Sequence, residues 1–527
     1  MKSPQVCSLS SRSRLSCNFV SLLLLVIVAG FSSPLALAQN SVKAPPSPQQ
    51  GPVGFQPFTP PVIQQGSTKL IGHYSPEQML RVTIVLQPPH WAEEQQFLQD
   101  LQSDAKASPK AQGFLTAEQW NARFAPSVED EQAVVDWAKS QGLEVTQRYA
   151  NRLVVDVTAP AGVLEHAFAV TLNTYQYQTK QESRIFFSND GDPRVPSNLT
   201  HIVQAVIGLN SWERMKASSK IIKPPVVMEY AAGPTKSQPA NTTGGGNSAK
   251  IPSAKVAKNN SNGTSNISGG AYDPTDIYSS EAYNYNALYH QGHCCNPFGA
   301  PSSPPEASIA IASVGSQNFG DIVGFHNSYP YLAWNITEFG IDGQGVPCND
   351  ATDATCDQEG TMDMEWSTAM ANSFGASSNT AHVYMYDVPN FGSFPDAYQH
   401  MLNDGLARVA STSWSCTAQD GCSSSFMNSL DSIFSNMVGQ GWTLVAAQGD
   451  RGATDDLDND LDVAFPGSDV NVVAAGGTTL ALDNATGNYV SEVTWSGGAA
   501  GAARNDGGIR SQAMAAQSAN ALHILIE

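Results

Sequence analysis

From Leu70 onward, apolar and polar positions alternate with two periods, and the changes between them mark out elements. Arg81 to Leu86 alternates as a strand does, and Ala92 to Asp104 carries helical spacing. Ala117 to Phe124 predicts a short helix, announced by Thr116 and Gln119 at capping-box spacing. Glu129 to Gln141 predicts another, stopped by Gly142. Leu143 to Tyr149 and Arg152 to Val157 read as strands around a break at Ala150 and Asn151. A helix near Val163 to Phe168 then leads into the strand Thr171 to Tyr177. Helices mixed with short strands in this way predict an α+β domain.

After Met215 the pattern dissolves into Lys, Ser, Asn and Gly as far as Gly270, the composition of a flexible, protease-sensitive linker. Apolar runs then return at Ala307 to Val314, His382 to Tyr386, Arg408 to Ser411, Thr443 to Ala447 and Val470 to Ala475. They alternate with helical stretches at Met362 to Phe374, Asp396 to Leu402 and Ser425 to Gln440. Buried strands separated by helices predict a parallel α/β sheet with helices on both faces.

The front of the chain reads as an export signal. Lys2, Arg12 and Arg14 precede the apolar run Phe19 to Phe31, and Ala36 and Ala38 flank Leu37 as signal peptidase requires. That run is short for a bilayer, which needs about 20 residues, so no stable membrane anchor is expected. A secreted, extracellular or periplasmic protein follows. The expected organisation is a signal peptide over 1–38, a disordered Pro-, Gln- and Ser-rich leader over 39–68 and a first domain over 69–215. A linker over 216–270 and a second domain over 271–527 complete it.

Charge sharpens this division. Of the net −20, residues 271–527 carry 29 Asp and Glu against four arginines, whereas residues 1–270 carry 18 acids against 23 bases. So acidic a second half is a poor partner for nucleic acid or anionic lipid. Crowded carboxylates raise one another's pKa and favour folding in acid, so an acid working pH is expected. The basic first half could dock on the acidic second half, in which case salt should loosen the pair. Eight cysteines become six once Cys7 and Cys17 leave with the signal. Cys348 with Cys356 and Cys416 with Cys422 bracket short loops and are the first disulfide pairings to expect. Cys294 and Cys295 bond elsewhere or to each other. No Cys-x-x-Cys or spaced His pair favours zinc, and no metal site is expected.

Candidate chemistry starts at Glu359 and Asp363, spaced i,i+4 where a helix begins after the Cys348 to Cys356 loop. On one helix face, two such carboxyl groups share a proton, which suits general-base work in acid, where a histidine is already protonated. A solvated acidic face at a helix N-terminus would leave the same spacing. Asp450 follows the strand Thr443 to Ala447 in a Gly-Asp-x-Gly phrase, at the carboxyl edge where α/β ligand sites lie. Protonated, it could donate to an oxyanion, although a turn aspartate would look alike. His290, His293, His326, His382, His400 and His523 sit in no motif that pairs a base with a nucleophile.

These residues resemble the sedolisins, the serine-carboxyl peptidases. Glu359 and Asp363 look like their Glu-x-x-x-Asp helix, and Asp450 resembles their oxyanion aspartate. Phe465-Pro466-Gly467-Ser468-Asp469, followed by Gly476-Gly477-Thr478-Thr479-Leu480, is similar to their next strand. Leu115 to Trp120, Arg123 to Ser127, Ala167-Phe168 and Val206 to Asn210 resemble the family's pro-kumamolisin-like activation propeptide. The resemblance implies a subtilisin-like parallel sheet preceded by a ferredoxin-like propeptide, and a zymogen acting on polypeptide substrate with its own propeptide as inhibitor. Glu359 would be the base, Asp363 its orienting partner and Asp450 the oxyanion donor. The family's serine, in a Gly-Thr-Ser turn after Asp450, is not found. Gly263-Thr264-Ser265 lies in the linker, Ser511 and Ser518 lack a glycine turn, and the pattern stops after Gly498. The nucleophile is therefore unknown, and the resemblance implies a C-terminally truncated chain. No cofactor is identifiable in it, because the calcium that the family implies belongs to the missing part. The alternative is a catalytically inactive homologue that at most binds peptides.

Overall fold

The computed structural model describes residues 55–104, 113–180, 182–217, 308–317, 319–329, 335–344, 356–371, 382–417, 421–449, 464–482 and 488–494, with 274, 277 and 283. The expected signal peptide lies outside these residues, as do most of the expected leader and linker.

The first half contains α1 (Pro61–Gln64), β1 (Thr68–His73), β2 (Met79–Leu86), α2 (Trp91–Asp104), α3 (Ala117–Arg123) and α4 (Val128–Ser140). It continues through β3 (Glu144–Arg148), β4 (Val154–Pro160), α5 (Ala161–Phe168), β5 (Leu172–Gln178), β6 (Ser183–Asn189) and β7 (Val203–Ile207). Local chemistry sets several boundaries. Thr116 and Gln119 close the capping box of α3, and α4 is capped by the Ser127 hydroxyl, which accepts from the Asp130 N–H. Gly142, at φ +81°, takes the left-handed turn after α4. β3, β4, β2 and β7 lie in that order in one antiparallel sheet, with α2 to α4 between β2 and β3 and α5 after β4. This is the ferredoxin-like order, with a second sheet, β1-β5-β6, inserted before β7. Val82, Ile84, Val155 and Val157 point to the helical side and bury against Val134, Val135, Leu164 and Phe168. Residues 55–67, expected within a disordered leader, instead lie on this domain. Phe55 and Gln56 donate backbone hydrogen bonds to Thr200 and Gln204, and Thr59 is buried.

After β8 (Lys216–Ala217), the second half comprises β9 (Ser308–Val314), β10 (Ser316–Gln317), α6 (Phe319–Ser328), β11 (Ile336–Gly340), β12 (Cys356–Asp357), α7 (Gln358–Ala371) and β13 (His382–Val388). α8 (Phe394–Asp404), β14 (Val409–Thr412), β15 (Trp414–Ser415), α9 (Ser424–Gly439), β16 (Thr443–Ala447), β17 (Val472–Ala475), β18 (Thr478–Leu482) and β19 (Tyr489–Thr494) follow. Six strands form one wholly parallel sheet in the order β11-β13-β9-β14-β16-β17. The expected α/β architecture is present, and alternation along each strand explains it. Ile311, Val383 and Met385 face Ile322 of α6 and Met364 of α7. Ala310, Ala312, Tyr384 and Tyr386 face Phe394, Met401, Phe426 and Phe434 of α8 and α9. Helices therefore cover both sides.

The halves share a core. Val85, Tyr149, Val154, Ala205, Ile207 and Met215 belong to the same buried cluster as Phe391, Phe394 and Phe426. A second contact sets Phe97 of α2, Trp120 of α3 and Phe124 just after α3 against Val438 of α9. Polar contacts also cross. Arg81 pairs with Asp342 at 2.7 Å and Asp396 at 2.8 Å, while also holding Asp156 of its own domain at 2.9 Å. Tyr149 donates to Asp396 and Asn151 to Gln399, each at 2.7 Å. Among the described residues every ion pair across the contact runs through Arg81, and neutral hydrogen bonds and apolar packing make up the rest. The contact is thus less electrostatic than the charge difference between the halves suggests.

Candidate active site

Sheet order fixes where a site can form. The chain leaves β9 for β11 and β13 on one side, then crosses to β14, β16 and β17 on the other, so the order reverses beside β9. Crevices in open parallel sheets lie at the carboxyl ends of strands flanking such a switch. Here those ends are Val314 of β9 and Thr412 of β14.

α7 starts at this edge because β12, just ahead of it, pairs parallel with β10, just after β9. Glu359 sits in its first turn at 6% exposure, and Asp363 lies one turn on, so both predicted carboxyl groups occupy one face of a single helix. The turn after β14 meets them. The Ser413 hydroxyl donates to Asp363 Oδ1 at 2.8 Å. That turn is pinned from below: the Thr412 hydroxyl donates to the Ala312 carbonyl at 2.9 Å and accepts from the Trp414 N–H at 3.2 Å. The Trp414 indole N–H donates to the Ser313 hydroxyl at 3.3 Å. Ser413 was not expected from sequence. Its signal is positional, the first residue past a buried strand at the switch point.

β16 ends at the same edge, and Gln448 and Gly449 continue from it, Gly449 at φ +84°. Asp450, Ser511, Ser518 and Gly263-Thr264-Ser265 lie outside the described residues, as do the pairings of Cys294, Cys295 and Cys348 with Cys356. Cys416 and Cys422, one of the expected pairings, have Cα atoms 5.8 Å apart, a spacing that a disulfide spans. Among the described residues, His382 shares a 2.7 Å hydrogen bond with Thr337 and stacks on Tyr384, and His400 meets Tyr149 edge-on. Among the described residues no group of three or more His, Cys, Asp or Glu could hold a metal ion.

Two other acids, on α7 and on the edge strand β11, are raised. Burial, and then the charge of Asp321, pushes Glu365 of α7 up to about 7, and burial pushes Glu338 up to about 7. Burial leads in both cases, where mutual crowding was the expected cause.

The first half reaches the same edge. β8, the last described stretch before the linker, pairs antiparallel with β15: Ala217 lies opposite Trp414 and Lys216 opposite Ser415. A polypeptide strand is therefore laid on an edge that begins one residue beyond the partner of Asp363. Met215, just before it, is buried in the shared core.

A ferredoxin-like domain thus lays its exit strand on the carboxyl edge of a parallel sheet, beside the helix that carries Glu359 and Asp363. In comparisons with known proteins, residues 66–212 match the Pro-kumamolisin activation domain, and the chain is similar to three sedolisin-type peptidases. It is 24% identical to Sedolisin from Pseudomonas sp. (strain 101) over 73% of this chain and 57% of that one. It is 23% identical to Kumamolisin from Bacillus sp. (strain MN-32) over 83% of this chain and 68% of the relative. Xanthomonalisin from Xanthomonas sp. (strain T-22) is 24% identical over 75% and 44%. The chain thus spans between 44% and 68% of the lengths of these relatives. Among solved structures, Pseudomonas sedolisin complexed with two molecules of pseudo-iodotyrostatin aligns with 20% identity and a TM-score of 0.32, over 44% of this chain and 61% of that one.

Proposed function

We propose that this chain is the precursor of an exported serine-carboxyl endopeptidase acting on polypeptides in acid. Glu359 is its general base, Asp363 orients Glu359 and shares its proton, and Asp450 donates to the oxyanion. The observation that carries this reading is the β8–β15 pairing, which lays an extended segment beside the carboxyl pair as a substrate would lie. In the proposed reaction a serine hydroxyl, not yet assigned to a residue, attacks the peptide carbonyl as Glu359 takes its proton. The carbonyl oxygen becomes an oxyanion that accepts from protonated Asp450. Collapse breaks the C–N bond, Glu359 returns its proton to the leaving amine, and water then releases the acyl group by the same steps reversed. Ser413, donating to Asp363, would hold the pair in place.

Export accords with the signal-like start and with the Cys416–Cys422 pair, which persists in oxidising compartments. No helix among the described residues is long and apolar enough to cross a membrane. No cofactor is proposed in this chain; calcium would enter only through the family's own site, to which none of these residues is assigned. The test is hydrolysis of a denatured protein across pH 2 to 8 by acid-incubated chain, beside Glu359→Ala. Acid activity lost in the variant is expected. Activity unchanged by the substitution would overturn the assignment, and a folded chain inactive at every pH would leave the alternative, a peptide-binding homologue without chemistry.

A further inference from the structure

The contact between α2 and α9 brings three carboxyl groups together, one buried and two half-buried. Glu94, on the propeptide face of the contact, is 1% exposed, and its Oε1 has no hydrogen-bond partner. Opposite it are Asp431 of α9 and Asp469 of the segment before β17. What ties them together is neutral. Ser435 donates to Glu94 and accepts from Gln95 at 3.3 Å and Asn471 at 3.2 Å. Asn471 also donates to Asp431 at 3.0 Å, and its backbone N–H donates to Asp469 at 2.8 Å.

The other charged groups facing this place do not neutralise it. On α2, Glu93 is taken by Arg123 of α3 at 2.8 Å and Asp100 accepts from Gln96, while His90, one turn ahead of Glu94, is exposed. Among the described residues no Lys, Arg or His forms an ion pair with Glu94, Asp431 or Asp469. Three carboxylates brought together without a cation cannot all be ionised at tolerable cost.

We propose that Glu94, Asp431 and Asp469 form a proton-dependent latch between propeptide and peptidase domain, closed while the cluster holds its protons and loosened as they are lost towards neutral and alkaline pH. Burial pushes Glu94 up to about 8 against the donated Ser435 bond, and Asp431 is raised by burial and then by the charges of Asp469 and Glu94. The sign follows. A released propeptide ionises Glu94 near its ordinary value of 4.5, whereas the docked form keeps the proton to about 8. Docking is thus unpenalised below the lower value, weakens between the two and levels off above the upper. Acid on its own tightens this contact, so release in acid requires the linker to be cut. The inference rests on the contact alone and holds whether or not the chain is a peptidase.

Hydrogen exchange of the full chain at pH 5 and pH 8, corrected for intrinsic rates, tests it. Wild-type amides of Trp91–Asp104 and Ser424–Gly439 should lose at least about tenfold in protection between the two, since one unit of pKa is tenfold, while β2 and β4 keep theirs. Glu94→Gln, neutral and of equal size, should flatten that dependence to within about twofold, and Glu93→Gln should behave as wild type. If Glu94→Gln does not fold, Glu94→Met, also uncharged and of similar length, should flatten it. Equal wild-type protection at both pH values, or a fall in the neutral variants as large as in wild type, overturns the latch.

Discussion

Arg81 serves three carboxyl groups at once, and this makes it the most exposed point of failure in the contact. Asp156 and Asp396 are fully buried, Asp342 nearly so, and one guanidinium holds all three. Removing the cation strands buried charge, which costs about 3–5 kcal/mol. Arg81→Met should therefore destabilise the full chain by about that much at pH 7 in urea unfolding. The cost should shrink in acid, because burial and then Asp396 already raise Asp342 to about 6, so that below this value the stranded group is neutral. Equal loss at pH 5 and pH 7 would contradict the account. None of this was legible in sequence. Arg81 and Asp396 lie far apart in the chain, and no local pattern marks an aspartate in the first turn of a helix as the partner of a distant arginine.

Among the elements, local chemistry proved readable and long-range pairing did not. The α3 capping box, the Gly142 stop and the strand Thr443–Ala447 needed only near neighbours to specify them, and each lies where its residues predicted. β1, β6 and β11 went unpredicted. Thr68–His73 and Ser183–Asn189 are the two edges of one small sheet, held by pairing with β5, and Ile336–Gly340 is an edge strand with little apolar content. The helical face around Glu359 and Asp363 was visible as spacing, whereas Ser413 required the sheet order. Contact between helices sets its own limits. Gly439 closes α9 directly against the Trp120 indole of α3, where a Cβ would fall inside the ring, and its carbonyl accepts from the Leu115 N–H. Gly439→Ala should cost about 1–3 kcal/mol through overpacking. Tryptophan emission should shift red as Trp120 is lifted towards water, and an unchanged spectrum with unchanged stability would refute this packing.

Across the whole molecule, buried acids set the pH response. Glu338 and Glu365 are pushed up to about 7, and Glu213, which accepts from the Ser423 N–H across the contact, to about 6, each first by burial. Folded values above unfolded ones mean stability that is complete near pH 4 and declines as pH rises through 6 to 7. The midpoint of thermal unfolding should accordingly fall between pH 5 and pH 8. A midpoint that climbs over that range would sink this ordering of terms. The large charge of the second half pointed the same way from sequence but by a different route, since mutual repulsion was the expected cause and desolvation is the leading one.

The shared core also bears on the order in which the ribosome delivers the chain. Residues 79–207 own a complete core between the four-stranded sheet and α4 and α5, and so can fold as soon as they emerge. Phe391, Phe394 and Phe426 cannot complete theirs without Val85, Tyr149 and Ile207. The half made later thus meets a finished surface made earlier, and its own packing is completed on that surface. A chain with the halves in reverse order would have to hold an apolar face open to water until synthesis caught up.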